Sequence, residues 1–192
     1  MSSKSDAKKQ LILEKAAEVF AGRGYRNVTM KDIVEACGIS RGGLYIYYDS
    51  VEEIFEDVLD NEDSADLSSI DLTSAGSVDL LLYFLKEEKK EILKKKNNLT
   101  MAYFEYAFAC KCEGKADKAK KKMDQEVLIL QKILDRGSES GEFVVDDAKA
   151  VATDMVYAIN GMKVCAQTVG ITEKKVDKEL VYMMRRFMEV EE

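Results

Sequence analysis

The chain is 192 residues long, 46% hydrophobic and 34% charged, with a formal net charge of −7, no histidine, no proline and four cysteines. Without histidine the usual mixed zinc sites and the commonest general base are unavailable. No run approaches the roughly 18 uncharged apolar residues of a membrane span, and no secretory segment opens the chain. The expectation is a cytoplasmic protein with reduced thiols, no metal, no cofactor and no enzymatic role, long enough for one sizeable core or two small ones. A total lack of proline suits a chain that is helical nearly throughout, so the fold class is all-α.

In chain order, residues 1–6 read as a polar tail and residues 7–22 as a first helix whose stripe is Ile12, Ala16, Val19 and Phe20. Lys4, Lys8 and Lys9 either touch phosphate or the minor groove, or are simply solvated. Gly22-Arg23-Gly24 turns the chain and is too short for a dinucleotide fingerprint. Thr29 is a good N-cap for a helix with Ile33 and Val34 on its apolar side, running to about Ala36. Cys37-Gly38-Ile39 then makes a turn in which glycine accepts positive φ. Ser40 caps a second short helix, and Leu44 and Tyr48, four apart, pack down on Ile33 and Ile39. Arg41, Gly42, Gly43, Ile46 and Tyr47 are left facing outward.

This is the pattern of a helix-turn-helix. Two consecutive glycines inside a short helix cost roughly 1 kcal/mol each relative to alanine. Close approach of backbone to DNA is one reason to keep them, with Arg41 placed to pair with guanine O6 and N7. The plainer alternative is a flexible loop at Arg41-Gly42-Gly43 followed by ordinary core. Charge distribution favours DNA: residues 1–48 carry +3, residues 49–76 carry −10 and the remainder is neutral. The acidic run either orients approach through its field or is a solvated helix and loop.

Residues 50–62 read as a fourth helix and residues 63–76 as a linker rich in Asp and Ser, which divides the chain into a head (1–49), a connection (50–76) and a helical-bundle body (77–192). Body helices are expected at 78–96, 99–112, 115–136, 145–169 and 173–190, with a break at Gly137-Ser138-Glu139-Ser140-Gly141. Cys110 and Cys112 lie on different faces of one helix and read as small buried hydrophobes rather than a redox pair.

The segment from Ile12 to Leu59 resembles the DNA-binding region of the TetR (tetracycline repressor-like) family of bacterial transcriptional regulators. The likeness rests on Ala16-Ala17-Glu18-Val19-Phe20, Gly24-Tyr25, Thr29, Ile33, Ala36-Cys37-Gly38-Ile39-Ser40, Leu44-Tyr45-Ile46-Tyr47-Tyr48, Ser50 and Glu52-Glu53-Ile54. It implies that Thr29, Tyr45 and Tyr47 hold phosphates and that Arg41, Gly42, Gly43 and Ile46 occupy base-reading positions; Lys31 and Ser40 complete the DNA-facing set. Three positions depart from the family pattern: Val34 replaces a small alanine, Tyr47 a frequent histidine, and Val51 a lysine that normally meets the DNA backbone, which should lower salt-dependent affinity.

Apolar residues nearly encircle 145–169, and 173–190 carries the wide stripe Val176, Leu180, Met183, Met184, Phe187 and Met188. These two helices are expected to pair with their copies in a homodimer, as the resemblance also implies; the alternative is that they complete a monomeric core. The resemblance further implies a small-molecule effector, hydrophobic or cationic, that enters the body and releases the protein from a palindromic double-stranded DNA operator by shifting a population of head arrangements. Met101, Phe104, Phe108, Cys112 and Tyr157 are its candidate lining, unless the aromatic stripe is plain core. Glu105, inside an otherwise uncharged aromatic segment, either meets a cationic effector or lies on the solvent face. A helical adaptor without DNA-binding activity is the alternative function.

Overall fold

A computed structural model describes residues 4–66, 75–115 and 118–188, and all regular structure among them is helical. The helices are α1 (Lys4–Arg23), α2 (Met30–Cys37), α3 (Arg41–Tyr45), α4 (Val51–Asp66), α5 (Ser77–Leu93), α6 (Thr100–Glu113), α7 (Lys118–Ser140), α8 (Ala148–Thr168) and α9 (Glu173–Met184). No described helix is long and apolar enough to cross a membrane. The chain divides into two compact units, one formed by α1–α4 with α6, the other by α5, α7, α8 and α9.

The first unit closes over one core. Ile12, Ala16 and Phe20 of α1, Ile33 of α2, Leu44 of α3 and Ile54 and Phe55 of α4 are all fully buried, as the helical spacing of the apolar residues requires. Leu99, Ala102, Tyr106 and Cys110 join them from α6. The rings interlock edge to face, Phe20 on Phe55 at 4.7 Å and Tyr25 on Tyr106 at 5.2 Å. A partition that assigns everything after residue 77 to the body therefore differs from this unit, which takes α6 by long-range packing.

The expected N-terminal tail is shorter than its polarity suggested. Helix α1 begins at Lys4 rather than at residue 7, with Asp6 in its first turn where a negative charge is favourable. The Lys9 ammonium lies 2.7 Å from the Asp57 carboxylate of α4. Residues 1–3 and the Lys4 side chain lie outside the described residues, as does most of the expected linker (67–74).

In the second unit α7 does not break at Gly137. It runs on to Ser140; position 137 is glycine because the Phe143 ring occupies the space a Cβ would need, and Gly141 at φ 76° ends the helix instead. Phe143 packs edge-on against Phe187 at 5.5 Å, and the Val144 N–H donates to the Phe187 carbonyl at 2.8 Å. Asp147 caps α8 by accepting from the Ala150 N–H at 2.9 Å. Val176, Leu180, Met183, Met184 and Phe187 are buried against α9's own unit. The apolar stripe expected to meet a second copy is thus largely consumed as core. Helix α9 ends at Met184, and residues 189–190 lie outside the described residues.

Candidate nucleic-acid interface

Two caps and a left-handed glycine build the helix-turn-helix. The Thr29 side chain accepts from the Asp32 N–H, and the Thr29 N–H donates to Asp32 Oδ2 at 2.8 Å, a reciprocal capping box. The Thr29 hydroxyl also donates to Asp32 Oδ2 at 2.6 Å. These bonds, with the Arg23 guanidinium on Asp32 Oδ1, hold the Asp32 carboxyl below the usual carboxylate range. Gly38 ends α2 at φ 63°, a conformation that costs a Cβ-bearing residue roughly 1–2 kcal/mol. Ser40 Oγ accepts from the Gly43 N–H at 3.1 Å and starts α3.

Leu44 and Tyr48 are buried and Ile39 packs beside them, which fixes the face that α3 turns outward. That face carries Arg41, Gly42, Tyr45 and Ile46, the last 78% exposed despite being aliphatic. The Arg41 guanidinium lies 5.5 Å from the Tyr45 ring centroid, a cation–π distance that stiffens a long cation on the surface. Exposed Thr29 and Lys31 flank it from α2. Thr29, Met30, Lys31, Val34 and Arg41 line a groove of about 370 Å³ beside the recognition turn.

Two of the expected contacts sit differently. Gly43 is buried rather than outward, because its N–H is taken by the Ser40 cap and a Cβ there would lie 3.1 Å from Ser40 Oγ. Its glycine identity answers to the cap as well as to any approach of DNA. Tyr47 is half-buried against the core, since α3 stops at Tyr45 and the Tyr47 N–H bonds back to the Leu44 carbonyl at 2.9 Å. Val51, where a lysine was the family expectation, also packs on this core.

The acidic run is structural where it is described. Its α4 carboxylates tie α4 to the residue after α3 and to the α6 region: Asp57 accepts from the Tyr48 hydroxyl at 3.0 Å, Glu56 from the Tyr106 hydroxyl at 2.6 Å, and Glu52 from Lys115 at 2.6 Å. Burial, and then the hydrogen bond to Asp57, push the Tyr48 hydroxyl well above its ordinary range, so it remains a donor. The sequence held one sign of this arrangement, the four-residue spacing of Glu52 with Glu56 and of Glu53 with Asp57.

The effector candidates on α6 form one row at 101, 104, 108 and 112. Phe104 is half-buried, while Met101, Phe108 and Cys112 are exposed, Phe108 by 65%. Cys112 is therefore not a buried hydrophobe, whereas Cys110 is. Tyr157, on α8 in the other unit, is also exposed. Glu105 is half-buried and already engaged: its Oε2 accepts a hydrogen bond from the Arg26 backbone N–H at 3.0 Å.

Known proteins share this architecture. The sequence model for bacterial regulatory proteins of the tetR family matches residues 12–58. The HTH-type transcriptional regulator YfiR of Bacillus subtilis, itself uncharacterised, is 31% identical over 144 residues, which cover 72% of this chain and 69% of YfiR. The HTH-type transcriptional regulator QacR of Staphylococcus aureus is 24% identical over 95% of both chains. The crystal structure of a TetR transcription regulator from Haloarcula marismortui superposes with a TM-score of 0.81 at 17% identity, covering 95% of this chain and 99% of that one. With its caps, its left-handed Gly38 and its outward Arg41-to-Ile46 surface in place, the chain belongs to the TetR family of DNA-binding bacterial transcriptional regulators.

Proposed function

We propose that the protein is a repressor that binds a palindromic DNA operator as a homodimer and leaves it when a small hydrophobic or cationic molecule binds. The observation that carries this reading is the outward face of α3, where an aliphatic Ile46 and a stiffened Arg41 stand clear of solvent-side packing next to Thr29 and Lys31. In this reading Arg41, Gly42 and Ile46 meet base edges, Thr29, Lys31, Ser40, Tyr45 and Tyr47 meet phosphates, and Gly43 keeps the helix start compact.

The unpartnered surface of α8, with Tyr157, Ala158, Gly161, Val164 and Cys165 all exposed at helical spacing, supports dimerisation through α8, with Tyr182 of α9 beside it in sequence order. The apolar row of exposed Met101, half-buried Phe104 and exposed Phe108 supports an effector-facing role for α6. Selection of bound duplexes from random DNA, followed by gel shift against scrambled competitor, tests the function. A two-fold-symmetric selected sequence with half-sites about one helical turn apart is the expected product. Preference for no duplex over scrambled DNA at modest ionic strength would refute it, and sedimentation equilibrium showing only monomer at micromolar concentration would remove the dimer.

A further inference from the structure

We propose that Glu105 is a positioning residue for the DNA-reading helices, its carboxylate seated in the turn between α1 and α2 so that the placement of α6 sets the placement of the α2 N-terminus. The tie joins residues 79 apart in sequence, Arg26 N–H to Glu105 Oε2 at 3.0 Å. The turn is shaped to receive it. Gly24 is buried at φ 75°, and a Cβ at that position would lie 2.5 Å from Glu105 Oε2 and 2.9 Å from both Cδ and Oε1. Any side chain at position 24 would thus meet the carboxylate itself as well as backbone strain.

The rest of the turn is pinned at its two ends by local bonds. Asn27 Nδ2 donates to the Arg23 carbonyl at 3.1 Å, and beyond buried Val28 the Thr29 capping box starts α2. Glu105 holds the middle. Its neighbour Tyr106 anchors the same stretch of α6 to α4 through Glu56 and packs on the Tyr25 ring, so the carboxylate arrives on a well-fixed helix. A hydrogen bond of 3.0 Å is lost when its partners separate by about 1 Å, so a small displacement of α6 is enough to break the tie to the turn that leads into Thr29 and α2. Glu105 is then engaged with the head, through a direct contact that does not pass through α4.

The test uses the full chain with Glu105→Ala, Glu105→Gln, Gly24→Ala and the double variant Gly24→Ala/Glu105→Ala. Amide hydrogen exchange reports the turn, and affinity for a duplex that the parent selects from random DNA reports the reading surface. Glu105→Ala should speed exchange at the Arg26 amide and weaken duplex binding by about tenfold, the size of one charge-assisted hydrogen bond. Glu105→Gln, which keeps the shape and one acceptor oxygen, should recover most of both. The Gly24→Ala defect should shrink when Glu105 is also alanine, because the collision is removed. Unchanged Arg26 exchange in Glu105→Ala, equal losses in Glu105→Ala and Glu105→Gln, or strict additivity of the two alanine variants would each overturn the assignment. If the parent selects no duplex, the regulator reading fails, and exchange at Arg26 still decides whether Glu105 holds the turn.

Discussion

Replacing Gly137 by alanine sets two physical effects against each other. Inside a long helix alanine is preferred over glycine by about 1 kcal/mol, so helix propensity alone forecasts a more stable protein. The surroundings forecast the opposite. A Cβ at position 137 falls within contact distance of Cγ, Cδ2 and Cε2 of Phe143, a ring and not a flexible chain end. Phe143 is 3% exposed, packs edge-on against Phe187, and its own N–H donates to the Gly137 carbonyl at 3.0 Å, so the ring has no easy retreat. Overpacking costs about 1–3 kcal/mol and disturbing an aromatic pair about 0.5–1.5 kcal/mol. After subtracting the propensity gain, the net destabilisation is about 0.5–3.5 kcal/mol, or a fall of roughly 1–14 °C in Tm for a chain of this size. Urea unfolding at a fixed protomer concentration measures it, with an unchanged slope as the sign that only stability has moved. A variant as stable as the parent, or more so, would refute the packing account of why position 137 is glycine.

Arg41→Ala should weaken duplex binding mainly at one base position, by about 1–3 kcal/mol, whereas Tyr45→Phe should weaken it evenly across sequences; competition with single-base variants of the selected site separates the two, and full discrimination at every base in Arg41→Ala would remove its reading role. Glu126 has its carboxyl raised above its usual value, first by burial, against the opposing Lys163 ammonium and with Glu88 adding to the rise. A raised folded value penalises the ionised form, so the penalty is full above that value and vanishes below the ordinary 4.5. Glu126→Gln should therefore be stabilised relative to the parent at pH 8, with the gain shrinking toward pH 4.5; a difference in Tm that stays constant or grows on acidification contradicts this. Thiol labelling should modify Cys112 and Cys165 quickly, buried Cys110 slowly, and half-buried Cys37, whose thiol burial pushes up, slowly. If α8 forms the dimer surface, Cys165 labelling should slow as protein concentration rises while Cys112 labelling does not; equal rates for both at every concentration would move the surface elsewhere.

What could be read from residue order was what neighbours in sequence decide. Thr29, Gly38 and Ser40 act within four residues of themselves, and the buried pair Ile33 and Leu44 follows from helical spacing, so the helix-turn-helix was legible in detail. Gly137 misled because its role is set by Phe143, which lies beyond the end of the helix that Gly137 sits in. The stripe on α9 looked like an interface because apolar periodicity records that a face is covered without recording by what. Gly43 was placed outward by spacing, but the Ser40 cap covers it; Tyr47 was placed outward too, but α3 is only five residues long and a helical wheel ceases to apply past Tyr45. The attachment of α6 to the first unit, and with it the engagement of Glu105, depends on contacts spanning 50 to 79 residues, which no local pattern encodes.

Because α6 belongs to the first unit while α5 belongs to the second, the polypeptide leaves the DNA-reading unit after α4 and returns to it before finally departing. A gene fragment ending at residue 66 would lack Leu99, Ala102, Tyr106 and Cys110, and so would present to water the faces of Tyr25 and Phe55 on which the Tyr106 ring packs. Chimaeras that transplant only the contiguous amino-terminal third onto a foreign regulator inherit that bare patch, and a graft that carries residues 95–115 along with it does not.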